Sequence, residues 1–506
     1  MRARWVFAAT ALALVGSLGL WAAADVSRPG RAIGEQAAEA VVNRNACGQT
    51  APRELRGMWL TTVRNIDWPS RPGLPEATVK AEYQQWLDLA VKMNHNAIFV
   101  HVRPSGDAFW PSGFAPFSYW LTGRKDNTNP GWDPLAYAVD EAHKRGLEFH
   151  AWYNPYKASQ DPVVPAGYPH PEWTVTYPLK AGEEKHAYFD PGIPEARKWV
   201  EDSILESVEK YDLDGVHFDD FFYPYPKTGQ EFPDQASYAR YGGGKNKNDW
   251  RRDNVNLLVK ETYERIKQVK PWVRFGISPF GIWRNDDSDR RGSATRGLES
   301  YSAIYADTRT WIKEGWLDYI VPQLYWYIGF KIADYAILLR WWTEVVKGTD
   351  VHLYIGQADY RINNAGVWKD PAELDRQIAL NQKSGVLGSI HFSAKSVRTN
   401  KLGAVTRYRD AHNATPALIP VSARLKADPP LAPTLVVRRT AEKTMVTWRP
   451  TESGPKAYRY AVYRDGVLVA TVPSGTHSWQ DAAAAKTGGT SYCVTALDRS
   501  WNESRA

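Results

Sequence analysis

Two aspartates stand side by side at the end of a short apolar run. The segment Asp214-Gly215-Val216-His217-Phe218-Asp219-Asp220-Phe221-Phe222-Tyr223-Pro224 reads as a buried strand that delivers Asp219 and Asp220 into a loop rich in Pro, Gly and Tyr. Carboxyl pairs are the working groups of glycoside hydrolysis: one protonates the leaving oxygen, the other attacks or activates water. Successive residues on a regular strand face opposite sides, so both acids reach one cleft only if the strand has broken by Asp220. Otherwise one faces the cleft and the other is held by loop or backbone donors.

Other acids, amides and rings follow other apolar runs. Arg103-Pro104-Ser105-Gly106-Asp107 offers Asp107 either as an acid/base partner or as a mate for Arg103. Asp67, in Asn65-Ile66-Asp67-Trp68-Pro69, fits a turn cap better than a sugar ligand, and Asp359 stands close to Arg361. Trp59, Trp152, Asn154, Tyr223, Gln323, Tyr325 and Trp326 supply rings and amides suited to stacking on sugar faces and orienting hydroxyls. His217 joins them as a substrate-binding candidate, although each of His150, His217 and His391 also fits an internally hydrogen-bonded barrel residue. No two histidines show the i, i+4 spacing of a helical metal site, and no Gly-x-Ser-x-Gly elbow occurs, so neither a metal nor another cofactor is expected.

These residues act together only if the fold gathers the strand ends. Short apolar or β-branched runs cover 55–61, 97–103, 147–153, 215–218, 273–278, 319–325, 351–356 and 387–392. Helical patterns lie between them near 76–94, 133–145, 194–210, 250–269, 303–314, 332–347 and 371–384. Asp133-Pro134 reads as a cap and first turn, and Gly146 and Gly385 as stops. Eight such units in about 350 residues are the arithmetic of an α/β fold of the (β/α)8 TIM-barrel type, whose strand C-termini carry the chemistry. An open doubly wound sheet is the alternative, but no glycine-rich phosphate fingerprint follows the first strand.

The totals fit this picture. A chain of 506 residues exceeds one core, and 23 Trp, 27 Tyr and 15 Phe are enough to line a cleft as well as fill a core. The net charge of +7 comes from 63 basic against 56 acidic residues without a basic block, so no nucleic-acid partner is expected. Residues 1–24 carry Arg2 and Arg4, then an apolar run ending Ala22-Ala23-Ala24, the pattern of a signal peptide or an N-terminal membrane anchor. Either reading places the folded part outside the cytoplasm: secreted, periplasmic or attached to the cell wall. Residues 25–52 read as a linker, 53–415 as the barrel and 430–506 as a β-sandwich. The sandwich rests on short alternating runs and on the hairpin signal Asp465-Gly466. Only Cys47 and Cys493 occur, so a disulfide framework is excluded and a single bridge stays open.

Several ordered segments resemble the glycosyl hydrolase-like family ten domain. They are Glu54-Leu55-Arg56-Gly57-Met58-Trp59-Leu60-Thr61-Thr62-Val63, Asn65 to Ser70, Arg103-Pro104 through Gly106-Asp107-Ala108, Gly215 to Asp220 through Tyr223-Pro224, and Val321 to Trp326. The resemblance implies an exported bacterial barrel acting on peptidoglycan glycan strands, particularly strands stripped of peptides. A non-catalytic glycan-binding or scaffolding protein is the alternative. Asp214 to Asp219 is also similar to the fourth-strand motif of the α-amylase family, which implies a nucleophile at Asp219. Asp220, Asp107, Asp359 and Glu231 compete for the proton donor. Phe221 stands where the chitinase pattern expects its acid, which speaks against a substrate-assisted mechanism. The tail, with Trp448, Tyr458, Tyr460, Tyr463 and Tyr492, resembles a fibronectin type III domain, which implies a spacer or a weak binding surface.

Overall fold

The computed structural model describes residues 39–41 and 51–505, apart from 166, 423, 426–427, 440–442 and 483–489. The segment read as a signal or anchor lies outside the described residues, among which no helix is long and apolar enough to cross a membrane.

Eight parallel strands build the barrel: β1 (Leu55–Leu60), β2 (Ala97–Arg103), β3 (Glu148–Tyr153), β4 (Gly215–Phe218), β5 (Arg274–Ile277), β6 (Tyr319–Ile320), β7 in two pieces (His352–Leu353 and Ile355–Gln357) and β8 (Gly388–His391). Each pairs with the next, and β8 returns to β1 through Ile390 opposite Gly57. Tyr354 separates the pieces of β7, but its N–H donates to Ile320 O, and the Gly356 N–H donates to Pro322 O, so the ring closes. The run 319–325 shortens to two strand residues because Pro322 has no N–H to give a neighbour. Gln323 still bridges Phe280 and Gly356 beyond it.

Helices α1 (Glu76–Lys92), α2 (Pro134–Lys144), α3 (Pro194–Lys210), α4 (Lys247–Val269), α5 (Thr308–Lys313), α6 (Tyr335–Val346), α7 (Ala372–Lys383) and α8 (Ala404–His412) follow the strands in turn. Asp133 caps α2, accepting from Ala136 N at 3.0 Å with Pro134 in the first turn, as its sequence implies. Helix α8 had no counterpart in the sequence patterns; its nine residues are too few to show a clear period.

The C-terminal residues form two antiparallel sheets. One contains β9 (Thr434–Arg439), β10 (Thr444–Arg449) and β13 (Ser478–Asp481); the other contains β11 (Arg459–Arg464), β12 (Val467–Pro473) and β14 (Tyr492–Leu497). Residues Glu39–Val41, inside the stretch read as linker, pair with β9 as an edge strand. Asp465 and Gly466 both take positive φ, 50° and 79°, as a two-residue hairpin turn requires.

Alternation along β11 and β14 explains where this sandwich sits. Tyr460, Val462, Tyr492, Val494 and Ala496 enclose the sandwich core with Trp448. Their neighbours Ala461, Tyr463, Cys493 and Leu497 face the other way and pack in one cluster with the barrel residues Leu55, Ala97, Phe99 and Tyr319. The sheet is therefore buried on both faces. Tyr458 donates to Asp214, Arg459 donates to Leu147 O at 3.0 Å, and Arg499 pairs with Asp212 at 2.7 Å, all just before β3 or β4. The sandwich closes the floor of the barrel. Strand residues on both faces are apolar because there is a partner on both sides.

Candidate active site

Strand β4 stops at Phe218, so the alternation that would have sent Asp219 and Asp220 to opposite faces no longer applies. Both line one cavity of about 260 Å3 at the C-terminal mouth, with Trp59, Trp152, Phe221, Tyr225, Ser278, Gln323, Tyr325 and Phe392. Asp219 is 9% exposed and Asp220 4%, so the acids are close to fully desolvated.

Their hydrogen bonds define a pair. The Asp220 N–H donates to Asp219 Oδ1 at 2.8 Å, and Gln323 Nε2 reaches the same oxygen at 3.1 Å. Gln323 is itself held by the Ser278 carbonyl at 2.9 Å. The Tyr225 hydroxyl donates to Asp220 Oδ2. Burial first, then the charge of Asp220, pushes the Asp219 carboxyl well above its ordinary range. Burial also raises Asp220, while the donors Tyr225 and Asp219 act against the rise. Two buried carboxyls facing one cavity oppose each other's ionisation, and Asp219, the more strongly raised of the two, is the one that holds its proton to higher pH.

Aromatic walls surround the acids. Trp59 meets Phe392 edge-on at 6.1 Å, and Tyr325 lies 6.2 Å from Phe392. The His101 ring stacks on Trp152 at 3.9 Å and 10°. Burial drives His101 down to about 3, so it backs Trp152 as a neutral ring. Trp59 Nε1 donates to His217 Nε2 at 3.1 Å, which places His217 in the pocket floor under the residues that line it.

Of the residues expected from sequence, the cavity gathers Asp219, Asp220, Trp59, Trp152, Gln323 and Tyr325. The others go elsewhere, because loops at strand ends need buried polar groups to satisfy their backbones. Asp107 accepts from Ser105 N at 3.0 Å and lines a separate cavity of about 150 Å3 with Tyr119, Trp120 and Tyr168. Arg103 donates to the carbonyls of Asn154 and Pro155, and Asn154 donates to Pro104 O at 3.3 Å, so each ties the loop after β2 to the loop after β3. Asp67 accepts from Thr61 N, Ser393 Oγ and Lys395 N, clamping the turn after β1 as a cap. Asp359 accepts from His391 at 2.8 Å and from Tyr408 on α8. Tyr223 is buried against Phe232 and Tyr305, and Trp326 packs edge-on against Phe280. Glu231 pairs with Lys247 and Arg251.

Four lining residues escaped the sequence reading. Ser278 and Phe392 end or follow β5 and β8, so a census of strand ends would have found them. Phe221 and Tyr225 are set by the fold of the loop after β4, which carries no comparable signal. Among the described residues no group of three His, Cys, Asp or Glu side chains converges to hold a metal ion.

A closed (β/α)8 barrel with a carboxyl pair in an aromatic mouth is the architecture of a glycosidase. The chain belongs to the glycosyl hydrolase-like 10 family, whose profile matches residues 54–373. It is 45% identical over 481 residues to the glycosyl hydrolase YngK of Bacillus subtilis, covering 90% of this chain and 92% of that protein. It is 39% identical over 377 residues to the glycosyl hydrolase DigH of Escherichia coli K12, covering 68% of this chain and 84% of that protein. Among solved structures, the PgaB (BpsB) glycoside hydrolase domain of Bordetella bronchiseptica aligns with 71% of this chain and 98% of its own at 15% identity and a TM-score of 0.48.

Proposed function

We propose that this glycosidase cleaves N-acetylated glycan of the cell envelope, peptidoglycan glycan strands above all, with Asp219 as general acid and Asp220 as its ionised partner. The observation that carries this reading is that both carboxyls line one cavity, with the Asp220 N–H donating to Asp219 Oδ1 at 2.8 Å. Conventional retaining and inverting schemes set the acids on opposite sides of the sugar, about 5–5.5 Å or about 6.5–9.5 Å apart. Acids adjacent in the chain that enter one cavity occupy one side, and Asp219 and Asp220 are the carboxyl groups lining it. The nucleophile then has to come from elsewhere, and a 2-acetamido group on the substrate supplies one. Asp219 protonates the leaving oxygen, while Asp220 orients the acetamido N–H and accepts charge as its oxygen attacks the anomeric carbon. Water then opens the oxazoline, returning a proton to Asp219. The acid of the pair is at 219 and its partner at 220, so Phe221 does not count against substrate assistance.

Both amino sugars of peptidoglycan carry that acetamido group, which supports this substrate among envelope glycans. Export is supported by the charged and apolar pattern of residues 1–24 and by the state of Cys493, which is disulfide-bonded. Cys47, the chain's one other cysteine, lies outside the described residues. The N-terminal segment delivers the enzyme to the envelope either as a cleaved signal or as a membrane anchor.

The test is incubation of the purified chain with peptide-free and peptide-bearing peptidoglycan, followed by mass spectrometry of the soluble products. Release of N-acetylated oligosaccharides, lost in Asp219→Asn, is the expected result. Cleavage confined to glycans without 2-acetamido groups overturns the mechanism.

A further inference from the structure

A chain of hydrogen bonds crosses the barrel from floor to mouth. At the floor, Trp501 of the C-terminal sandwich donates from Nε1 to Glu148 Oε1 at 2.5 Å. Glu148 Oε2 meets His150 Nε2 at 3.0 Å and Arg274 Nη1 at 3.3 Å. His150 Nδ1 lies 3.0 Å from Tyr319 OH, and the same hydroxyl lies 3.2 Å from His217 Nδ1. His217 Nε2 accepts from Trp59 Nε1 at 3.1 Å and lies 3.1 Å from Ser278 Oγ, whose hydroxyl also reaches Phe218 O at 3.4 Å, and both Trp59 and Ser278 line the cavity that holds Asp219 and Asp220.

The proton positions along this chain are fixed by elimination. An indole N–H only donates, so His217 Nε2 accepts from Trp59 and the ring proton sits on Nδ1. That Nδ1–H donates to the Tyr319 oxygen. With His150 as a neutral ring, the Tyr319 hydroxyl proton points to His150 Nδ1, and His150 donates from Nε2 to Glu148. Every link agrees in direction, with a carboxylate as the final acceptor. The barrel is also cut to fit the chain. A Cβ at Gly215 on β4 would lie 2.2 Å from His150 Nδ1, and one at Gly276 on β5 would lie 2.1 Å from the Tyr319 ring. His150, His217 and Tyr319 are each 0% exposed, so no solvent competes for the links.

We infer that Glu148 and Trp501 are positioning residues for the active site: through His150 and Tyr319 they hold the acceptor of the His217 Nδ1 proton, backing from the floor the tautomer that the Trp59 indole selects at the mouth, and so keep Trp59 and Ser278 in place in the substrate pocket. The C-terminal sandwich is on this view a working part of the enzyme's catalytic half. The inference rests on the pocket being the substrate site, but its first readout does not.

That readout is the His217 tautomer, observed by 15N NMR of histidine-labelled full-length chain. In the wild type, His217 is protonated at Nδ1. Tyr319→Phe removes the acceptor of that proton and the donor to His150, and it shifts His217 toward the Nε2–H form. Glu148→Gln and Trp501→Phe act at the far end and shift it less. In turnover on peptidoglycan glycan, kcat falls about tenfold in Tyr319→Phe and about threefold in Trp501→Phe, roughly 1.4 and 0.65 kcal/mol, with KM little changed. Tyr458→Phe is the control: it removes a floor hydrogen bond outside the chain, lowers the melting temperature and leaves tautomer and kcat as they were. An Nε2-protonated His217 in the wild type overturns the inference, as does an unchanged tautomer in Tyr319→Phe. Equal kcat losses in Tyr458→Phe and Trp501→Phe overturn the positioning role. Should the wild type cleave no glycan, the tautomer still decides the relay, while the proposed substrate fails separately.

Discussion

Strand β4 carries a buried acid at each end, and the two ends use theirs in opposite ways. At the floor, Asp214 accepts from His143 at 2.7 Å and from Tyr458, and Arg459 lies nearby. Burial alone would raise this carboxyl, but His143 and Arg459 outweigh burial and hold it below the ordinary carboxylate range. At the mouth, five residues on, Asp219 has an amide and another acid for company, and it is pushed well above that range. Desolvation is common to both. The sign of the neighbouring charge decides whether a buried carboxyl becomes a fixed anion that joins two modules or a stored proton available for transfer.

The largest effect that would break this contrast is at the mouth. Asp219→Asn is expected to lower kcat on N-acetylated glycan by about 10³-fold, in line with loss of a general acid. It should not lower stability. A carboxyl whose folded pKa lies above its unfolded one costs stability as pH rises through that window, because the unfolded chain releases the proton first. As pH rises above the ordinary carboxylate range, the melting temperature of Asp219→Asn should therefore fall less steeply than that of the wild type; a steeper fall would reverse the assignment.

The floor behaves in the reverse way. Asp214→Asn leaves His143 and Arg459 facing each other without their anion, and denaturant unfolding should show a loss of about 3 kcal/mol. Asp214 is depressed when folded, so its contribution is present above the ordinary carboxylate pKa and disappears as pH falls through the folded value. The wild type should lose stability on that acid limb and the variant should not. Activity per folded molecule should be unchanged.

Two smaller effects sharpen the mouth. The pH–kcat/KM profile should be bell-shaped, with limbs belonging to the Asp219–Asp220 pair as a unit. Removing the Tyr225 hydroxyl in Tyr225→Phe takes a donor from ionised Asp220 and should move the acid limb upward by about one pH unit. Trp152→Ala should raise KM about tenfold, ~1.4 kcal/mol, through loss of a stacking face. The smallest change is expected for Asp107→Asn, within about twofold in kcat/KM, because that acid faces a different cavity.

The barrel was legible in the chain because period-two and period-3.6 hydrophobicity are local and repeat eight times. The hairpin at Asp465-Gly466 and the cap at Asp133 were legible for the same reason: a few adjacent residues dictate the backbone there. Asp219 and Asp220 stood out because two acids after an apolar run have no use in a core. The role of the remaining polar residues was not legible. Arg103, Asn154, Asp67 and Asp359 sit at strand ends just as Gln323 does, and their identity says only that a strand end needs polar groups. Which of them face substrate and which satisfy a neighbouring loop depends on chain segments as far as 328 residues away, as with Asp67 and Lys395.

The sequence by itself determined the repeating units, the strand that ends in two acids and the hairpins of the tail, since each is governed by neighbours along the chain. Only the tertiary structure decided that β4 ends soon enough to bring both acids to one side, that the tail seals the barrel floor, and that Trp501 and Trp59 stand at opposite ends of one hydrogen-bonded line. Those outcomes follow from where burial removes water and which groups are left to meet without it, and no local pattern encodes that.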